Sequence, residues 1–448
     1  MMKICNVFVA LFLATLFWGC TPSEINEEPV FHTITFDANG GTEIAPQMVE
    51  DGDLAARPED PEQEGSTFIN WFEGNKLYDF SAPVHQSLTL SAQWTGNTYT
   101  VSFDTDGAAE IEAQVIDAGD FVTEPPVPAK YGYTFEGWKS DDELFDFSTP
   151  VIADLQLVAD WAREQIDLTG KSPWISEVLD FRPAPGQFIN KVDDELAAAK
   201  ENLVGDSHQF VSLGTFGGNV SFKFDHPIVN REGNDLAIYG NSFEGNSEPG
   251  IVMVCQDLNG NGQPDADEPW YELAGSDYDL PETTHNYEIT YYRPEAGQDT
   301  HIIPYKEIID GQEKVGTRDF TDIKPFHDQP MFPAMYTEGS VTFKGTLLKS
   351  KTYDQNEGTG SEYPFYVSPK FDWGYADNAG YEQERGSVLA GADVFDLSNA
   401  VDAMGNKVTL IQVDFVKVYT ATTEIAGWLG ELSPEITKAA DLSMLEQE

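Results

Sequence analysis

The chain has 448 residues, of which 77 are acidic and 25 are Lys or Arg, giving a formal net charge of −52. A field of that sign repels nucleic acid and anionic lipid and attracts divalent cations, which sets aside nucleic-acid-binding functions. Aromatic residues make up 12% of the chain, too many for a disordered polyanion, and 40% of residues are apolar, enough for more than one core.

Lys3 precedes an apolar run from Val7 to Leu16 that ends in Leu16-Phe17-Trp18-Gly19-Cys20. A basic start, a short apolar middle and a small residue before the cut describe a secretory signal, and the run is too short for a membrane span. The Gly19-Cys20 junction resembles the lipobox of bacterial lipoproteins, in which residues 1–19 are removed and the thiol of Cys20 is lipidated. Residues 20–30 read as a tether. Their acids Glu24, Glu27 and Glu28 resemble the surface-export signal of lipoproteins from Bacteroides-like bacteria. The resemblance implies a lipid anchor in an outer membrane, with the protein facing the cell exterior. Cys5 leaves with the signal and Cys20 carries lipid, so Cys255 has no partner for a disulfide. Its apolar run, Gly250 to Cys255, predicts a buried, inert thiol.

An internal repeat follows. Phe36-Asp37 recurs as Phe103-Asp104, Gly65 as Gly132, Phe68 as Phe135, Trp71 as Trp138 and Trp94 as Trp161, all at an offset of 67 residues. One register held through aromatics and glycines means two copies of one small domain. Alternation in Thr33–Phe36, Tyr99–Phe103 and Leu88–Trp94 predicts strands, and Asn39-Gly40-Gly41 predicts a turn. The second copy has Asp106-Gly107-Ala108 there, without the double glycine, which allows a different turn. These residues resemble the Listeria–Bacteroides repeat over residues 31–94 and 99–161, which implies two small β-grasp-like modules used on bacterial surfaces. Trp71 and Trp138 sit where a small core needs a large side chain, so the modules read as spacers rather than ligand sites.

Residues 162–180 read as a linker and 181–448 as a larger β domain. A helix is predicted over Asn190–Asn202. Strands are predicted at Asn219–Phe224, Asp235–Tyr239, Gly250–Cys255 and Val408–Tyr419, with the wholly apolar Gly250–Cys255 in the centre. Gly and Pro punctuate the rest. The expectation is a mainly β protein whose repeats lead into a jelly-roll-like β-sandwich.

The twelve residues Asp257–Glu268 satisfy the calcium-loop pattern. Oxygen ligands would come from Asp257, Asn259, Asn261 and Glu268, with Gln263 through its carbonyl oxygen and Asp265 through water. Gly262 sits at the sharp turn. No helix pattern flanks the loop, so a structural calcium is expected rather than a signalling EF-hand; a plain solvated turn is the competing reading.

No catalytic constellation stands out. There is no Gly-x-Ser-x-Gly elbow and no His-Glu-x-x-His, and the seven histidines are scattered. His226 and His327 read as turn residues. An enzyme is not expected, and a glycan hydrolase is unsupported. The segment from Phe326 to Tyr381 is rich in aromatics, with Phe371-Asp372-Trp373-Gly374-Tyr375-Ala376-Asp377-Asn378 the sharpest piece. Rings beside amides and carboxylates suit a flat polar ligand, so Tyr366, Phe371, Asp372, Trp373, Tyr375 and Asn378 are the candidate ligand-binding residues. Capping of a sandwich core is the competing reading for the same rings.

Within the large domain, Ser212-Leu213-Gly214-x-Phe216-Gly217-Gly218, Asp235–Phe243, Ser247–Val254 and Trp270–Leu273 resemble a domain of Bacteroides surface lipoproteins. With small β modules ahead of it, this architecture is similar to the BtuH type of vitamin B12-binding lipoproteins. The resemblance implies capture of cobalamin or a related corrinoid and its delivery to an outer-membrane TonB-dependent transporter. A glycan-binding or adhesive surface lipoprotein is the alternative.

Overall fold

The computed structural model describes residues 28–191 and 196–445. The signal, Cys20 and the first part of the tether lie outside the described residues. The chain divides into two compact units at Ala162/Arg163. Among the described residues, no helix is long and apolar enough to cross a membrane.

The first unit holds the repeats. The first copy comprises β1 (Phe31–Asp37), β2 (Gln47–Glu50), β3 (Ser66–Glu73), β4 (Lys76–Leu77) and β5 (Leu88–Gly96). The second comprises β6 (Thr98–Asp104), β7 (Ile111–Asp117), β8 (Tyr133–Ser140), β9 (Glu143–Leu144) and β10 (Leu155–Arg163). The sheets run β2-β1-β5-β3-β4 and β7-β6-β10-β8-β9, so the copies share one topology. β1 pairs parallel to β5 and β6 parallel to β10, the mixed central pairing of a β-grasp-like sheet. No helix covers either sheet among the described residues. Aromatics do that work: Trp71 lies edge-on to Phe36 at 5.0 Å and Phe68 at 5.5 Å, and Trp138 to Phe103 at 5.1 Å and Phe135 at 5.5 Å. Both tryptophans are buried, as the core of a small module requires. The turns do not differ. Asn39 and Gly40 have φ +46° and +97°, and Asp106 and Gly107 have +49° and +91°. Left-handed geometry needs glycine at the second position and tolerates Asn or Asp at the first, so the lost glycine changes nothing there.

The second unit contains β11 (Glu177–Arg182), β12 (Val211–Ser212), β13 (Asn219–Val229), β14 (Leu236–Tyr239), β15 (Gly250–Cys255), β16 (Trp270–Leu273), β17 (Thr284–Tyr292), β18 (Ile302–Ile309) and β19 (Gln312–Asp319). It continues with β20 (Ser340–Leu347), β21 (Tyr353–Asp354), β22 (Tyr366–Val367), β23 (Ala392–Phe395), β24 (Ala400–Val401), β25 (Gln412–Thr420), β26 (Glu435–Ile436) and β27 (Lys438–Asp441). A six-stranded sheet, β11-β13-β25-β15-β16-β24, is the middle layer of a sandwich-like fold. On one side Val252, Val254, Val416 and Val418 pack with Leu236, Ile238 and Ala439 of the three-stranded sheet β23-β14-β27. On the other, Ile251 and Tyr419 pack with Tyr287, Ile289, Ile303 and Phe343 of the four-stranded sheet β19-β18-β17-β20. Burial on both faces is why Gly250–Cys255 carries no polar alternation.

Four expectations change. The strand expected over Val408–Tyr419 begins at Gln412, as β25. β11 starts inside the expected 162–180 linker, because Ile175 and Val178 belong to the core. The helix α1 is described over Leu196–Leu203, with Ala199 and Leu203 buried. Asn190 precedes it in a left-handed conformation (φ +58°) and is not helical. His226 is no turn residue: it lies in β13 with its ring buried, contacting Asp225 through Nδ1 at 2.8 Å and Asp441 through Nε2 at 3.0 Å. The sequence motif His-Pro concealed this, since the β-bulge between Lys223 and Ile228 accommodates the proline.

Candidate ligand-binding cleft

The aromatic segment singled out by sequence splits between core and surface. Phe371 and Tyr375 lie within the core, edge-on at 5.1 Å, and the Tyr375 hydroxyl accepts the Asp277 N–H at 3.1 Å. Asn378 is buried as well. Its Oδ1 accepts from the Phe371 N–H at 2.7 Å and from the Ser247 hydroxyl at 2.8 Å, while Nδ2 donates to the Phe371 carbonyl at 2.9 Å. These three residues close the 371–378 loop on itself. Asp372 is exposed, and the Trp373 ring, 51% exposed, lines a separate recess of about 210 Å³ with Asn234, Asp396 and Asn399. Tyr366 is elsewhere, beside Arg318 and Glu424. The structure therefore joins Phe371, Tyr375 and Asn378 and keeps Asp372, Trp373 and Tyr366 apart from them.

A larger concavity opens where the six-stranded sheet faces the four-stranded one. Register sets its floor. Met253 of β15 lies opposite Glu272 of β16 and opposite Lys417 of β25, so one row of side chains crosses three adjacent strands. Residues two positions away, Trp270 and Tyr419, share that face because side chains alternate along a strand. β17 and β20 supply the opposite wall. A bulge between Thr284 and Tyr287, with Asn286 at φ +55°, brings His285 to the cleft.

The cleft has two lobes with a common waist of Met253, Trp270, Lys344 and Tyr419. One lobe, about 640 Å³, is lined by Glu272, Tyr278, Asp279, His285, Thr346 and Asp402. Here Thr346 donates its hydroxyl hydrogen to Glu272 at 2.6 Å, and the Tyr278 and His285 rings lie 4.5 Å apart. Burial pushes the Glu272 carboxyl up to about 7 against that hydrogen bond. The other lobe, about 490 Å³, is lined by Arg182, Lys344 and Lys417, with Asp180 as its one acidic lining residue. The Lys417 ammonium lies 3.9 Å from the Trp270 ring centroid. Burial, helped by nearby Arg182 and opposed by Asp180, lowers its pKa. An aromatic and thioether waist between a carboxylate-rich and a cation-rich lobe can grip a flat ligand and read polar groups at both ends. Sequence reading passed over this site. Its signals were Lys417, a charge inside the doubly buried strand β25, and Trp270, directly behind the acidic loop.

The loop Asp257–Glu268 joins β15 to β16 and borders the cationic lobe through Gln263 and Pro264. Asp257 accepts the N–H groups of Asn261 at 3.0 Å and Gly262 at 2.7 Å. Glu268, buried, accepts from Leu258 at 2.7 Å and Asp265 at 2.9 Å. The Nδ2 groups of Asn259 and Asn261 both reach Asp265 Oδ2, at 2.7 and 2.6 Å. Gly262 has φ +77° at the turn. In this arrangement the carboxylates of Asp257, Asp265 and Glu268 are engaged by the loop's own N–H and amide groups. Cys255, just before it, is buried, and burial pushes its thiol up to about 12.

The Listeria-Bacteroides repeat domain matches residues 32–93 and 99–160. The chain is similar to two provisionally named proteins of Evansella cellulosilytica. One, a membrane protein, is 28% identical over 233 residues, half of this chain and 34% of that protein. The other, a Gly-rich membrane protein, is 31% identical over 178 residues, 38% of this chain and 19% of that protein. Internalin H of Listeria monocytogenes is 34% identical over 126 residues, 26% of this chain and 22% of that protein. The chain thus spans about a third or less of these relatives' own length.

Proposed function

We propose that this is a surface-associated lipoprotein that captures cobalamin or a related corrinoid and passes it to an outer-membrane TonB-dependent transporter. The surface setting is supported by the two repeats, by relatives named as membrane proteins and an internalin, and by the lipobox-like Cys20. The single observation carrying a binding role is the two-lobed cleft with Trp270 and Met253 at its waist. It is roomy, half-open and built from rigid strands, and its polar groups point inward from both sheets. The corrinoid itself rests on the resemblance of the large domain's motifs. Calcium, held by Asp257, Asn259, Asn261, Gln263, Asp265 and Glu268, would brace the loop that leads into Trp270 and would supply no chemistry.

Calorimetric titration of the full chain with cyanocobalamin tests the reading. Saturable binding that Trp270→Ala weakens supports it, and no heat at high micromolar protein removes the corrinoid. A glycan ligand is the second reading, favoured by the exposed Trp373 ring among Asn234, Asp396 and Asn399. Such a ring with amide and carboxylate neighbours suits the apolar face and hydroxyl rim of a sugar.

A further inference from the structure

Arg182, Lys344 and Lys417 line one lobe of the cleft in a chain of net charge −52, where cations are outnumbered three to one and would be expected to sit against carboxylates. Among the described residues, no side-chain hydrogen bond or ion pair engages any of the three. Lys417 has the Trp270 ring at 3.9 Å and Arg182 has the Phe343 ring at 5.7 Å. Asp180 is the one lining carboxylate, too few to neutralise them. Lys417 lies in β25 opposite Met253, deep on the cleft floor, so it cannot turn its ammonium freely to bulk water. Arg182 and Lys344 are exposed and Lys417 is half-buried, so water screens part of their mutual repulsion and an anion on that wall relieves the rest, chiefly at Lys417.

We propose that this lobe recognises a phosphate ester group on an organic ligand whose apolar part lies along Trp270 and Met253. Three cations lining one lobe, one of them a guanidinium fork, match the three unesterified oxygens of a phosphate monoester better than the two oxygens of a carboxylate. The proposal rests on the cleft being the ligand site and is independent of whether the ligand is a corrinoid.

The test compares 1-naphthyl phosphate with 1-naphthol by fluorescence titration of the full chain at low ionic strength. The phosphate ester binds about tenfold or more tightly than the alcohol, as one charge-assisted contact implies. Added salt erodes the preference. Arg182→Gln with Lys417→Gln abolishes it, while Lys306→Gln, outside the cleft, leaves it intact. Should the double variant fail to fold, Lys344→Gln, at an exposed position of the waist, lowers the preference severalfold. Equal binding of the two probes, or a preference that survives both the double variant and Lys344→Gln, overturns the proposal. A second arm compares cyanocobalamin with dicyanocobinamide, which has the corrin but no phosphodiester. A preference for cyanocobalamin that the double variant abolishes places the corrinoid's phosphodiester in this lobe. A naphthyl phosphate preference without corrinoid binding sustains the anion site and removes the corrinoid.

Discussion

The Lys417 ammonium sits 3.9 Å from the centre of the Trp270 ring, and the two residues belong to strands β25 and β16, which flank β15. The ring bridges the floor of the cleft and joins its two lobes. Trp270→Ala is therefore expected to weaken cyanocobalamin capture at least about tenfold, the loss of one well-packed aromatic anchor. Trp373→Ala serves as the contrast. Its ring lies in a different recess, so it leaves corrinoid affinity unchanged and lowers affinity only for a ligand of that recess, such as a glycan. Calorimetry on both variants, with melting curves to confirm folding, decides between the cleft and the recess.

The duplicated tryptophans make a separate prediction. The indole nitrogens of Trp71 and Trp138 are buried with no hydrogen-bond partner. Each ring contributes packing while its N–H contributes a desolvation penalty. Trp138→Ala should destabilise its module by about 3–5 kcal/mol. Trp138→Phe should cost much less, because the smaller ring loses some packing but removes the orphan donor. The same order is expected at Trp71, by denaturant unfolding followed in the repeat unit.

Two glycines of the motif Ser212–Gly218 are held by close backbone packing. A Cβ at Gly218 would overlap the Leu213 carbonyl oxygen, and one at Gly214, where φ is +76°, would overlap the Ala184 carbonyl oxygen. Gly218→Ala is expected to lower the melting temperature of the large domain sharply or to prevent its folding, since backbone has no side-chain freedom with which to yield. A melt within a degree or two of the parent would show that the turn can open.

The acidic loop predicts a metal response. With calcium bound, the large domain melts higher, and excess chelator lowers that melt by several degrees. Glu268→Gln removes the response by weakening the buried end of the loop. A chelator that leaves the melt untouched would mean that the loop is held by its own amide bonds alone.

Periodicity made the repeats legible because their cores are local: the aromatic network of each copy lies within one stretch of about 60 residues, so spacing alone exposes it. The apolar run Gly250–Cys255 was legible because the strand is almost wholly buried between the layers on its two faces. The cleft was not legible. Arg182, Trp270, Lys344 and Lys417 meet through strand order and register, which composition does not encode. The local density of Phe371, Trp373 and Tyr375 drew attention to a loop that the chain uses for closure. Its Asn378 bonds to Phe371 look, in sequence, like any amide beside aromatics.

Buried acids give the large domain a pH dependence opposite to that of ordinary salt-bridged carboxylates. Glu248, Asp377 and Glu435 are clustered and wholly buried, and burial, with their mutual repulsion, holds Glu248 and Asp377 above the usual carboxylate range. Burial also pushes Asp393 up to about 7 and Glu431 up to about 8. For His226, burial disfavours the charge, but the hydrogen bonds its ring donates to Asp441 and Asp225 overcome it and raise its pKa. Every one of these folded-state values lies above its unfolded value, so the folded state binds more protons than the unfolded one. The resulting stability is fully present below the unfolded values, about 4 for the acids and about 6.5 for histidine. It is lost as pH rises through the folded ones. Unfolding temperature should accordingly fall between about pH 5 and 8 at constant ionic strength. Glu431→Gln isolates the effect from general charge repulsion. Its amide oxygen can still accept the Gln187 N–H that Glu431 Oε1 accepts at 2.8 Å, but the group no longer ionises. The variant's stability should decline less steeply above pH 6 than the parent's. Parallel slopes would mean that Glu431 is not the group whose ionisation weakens the fold.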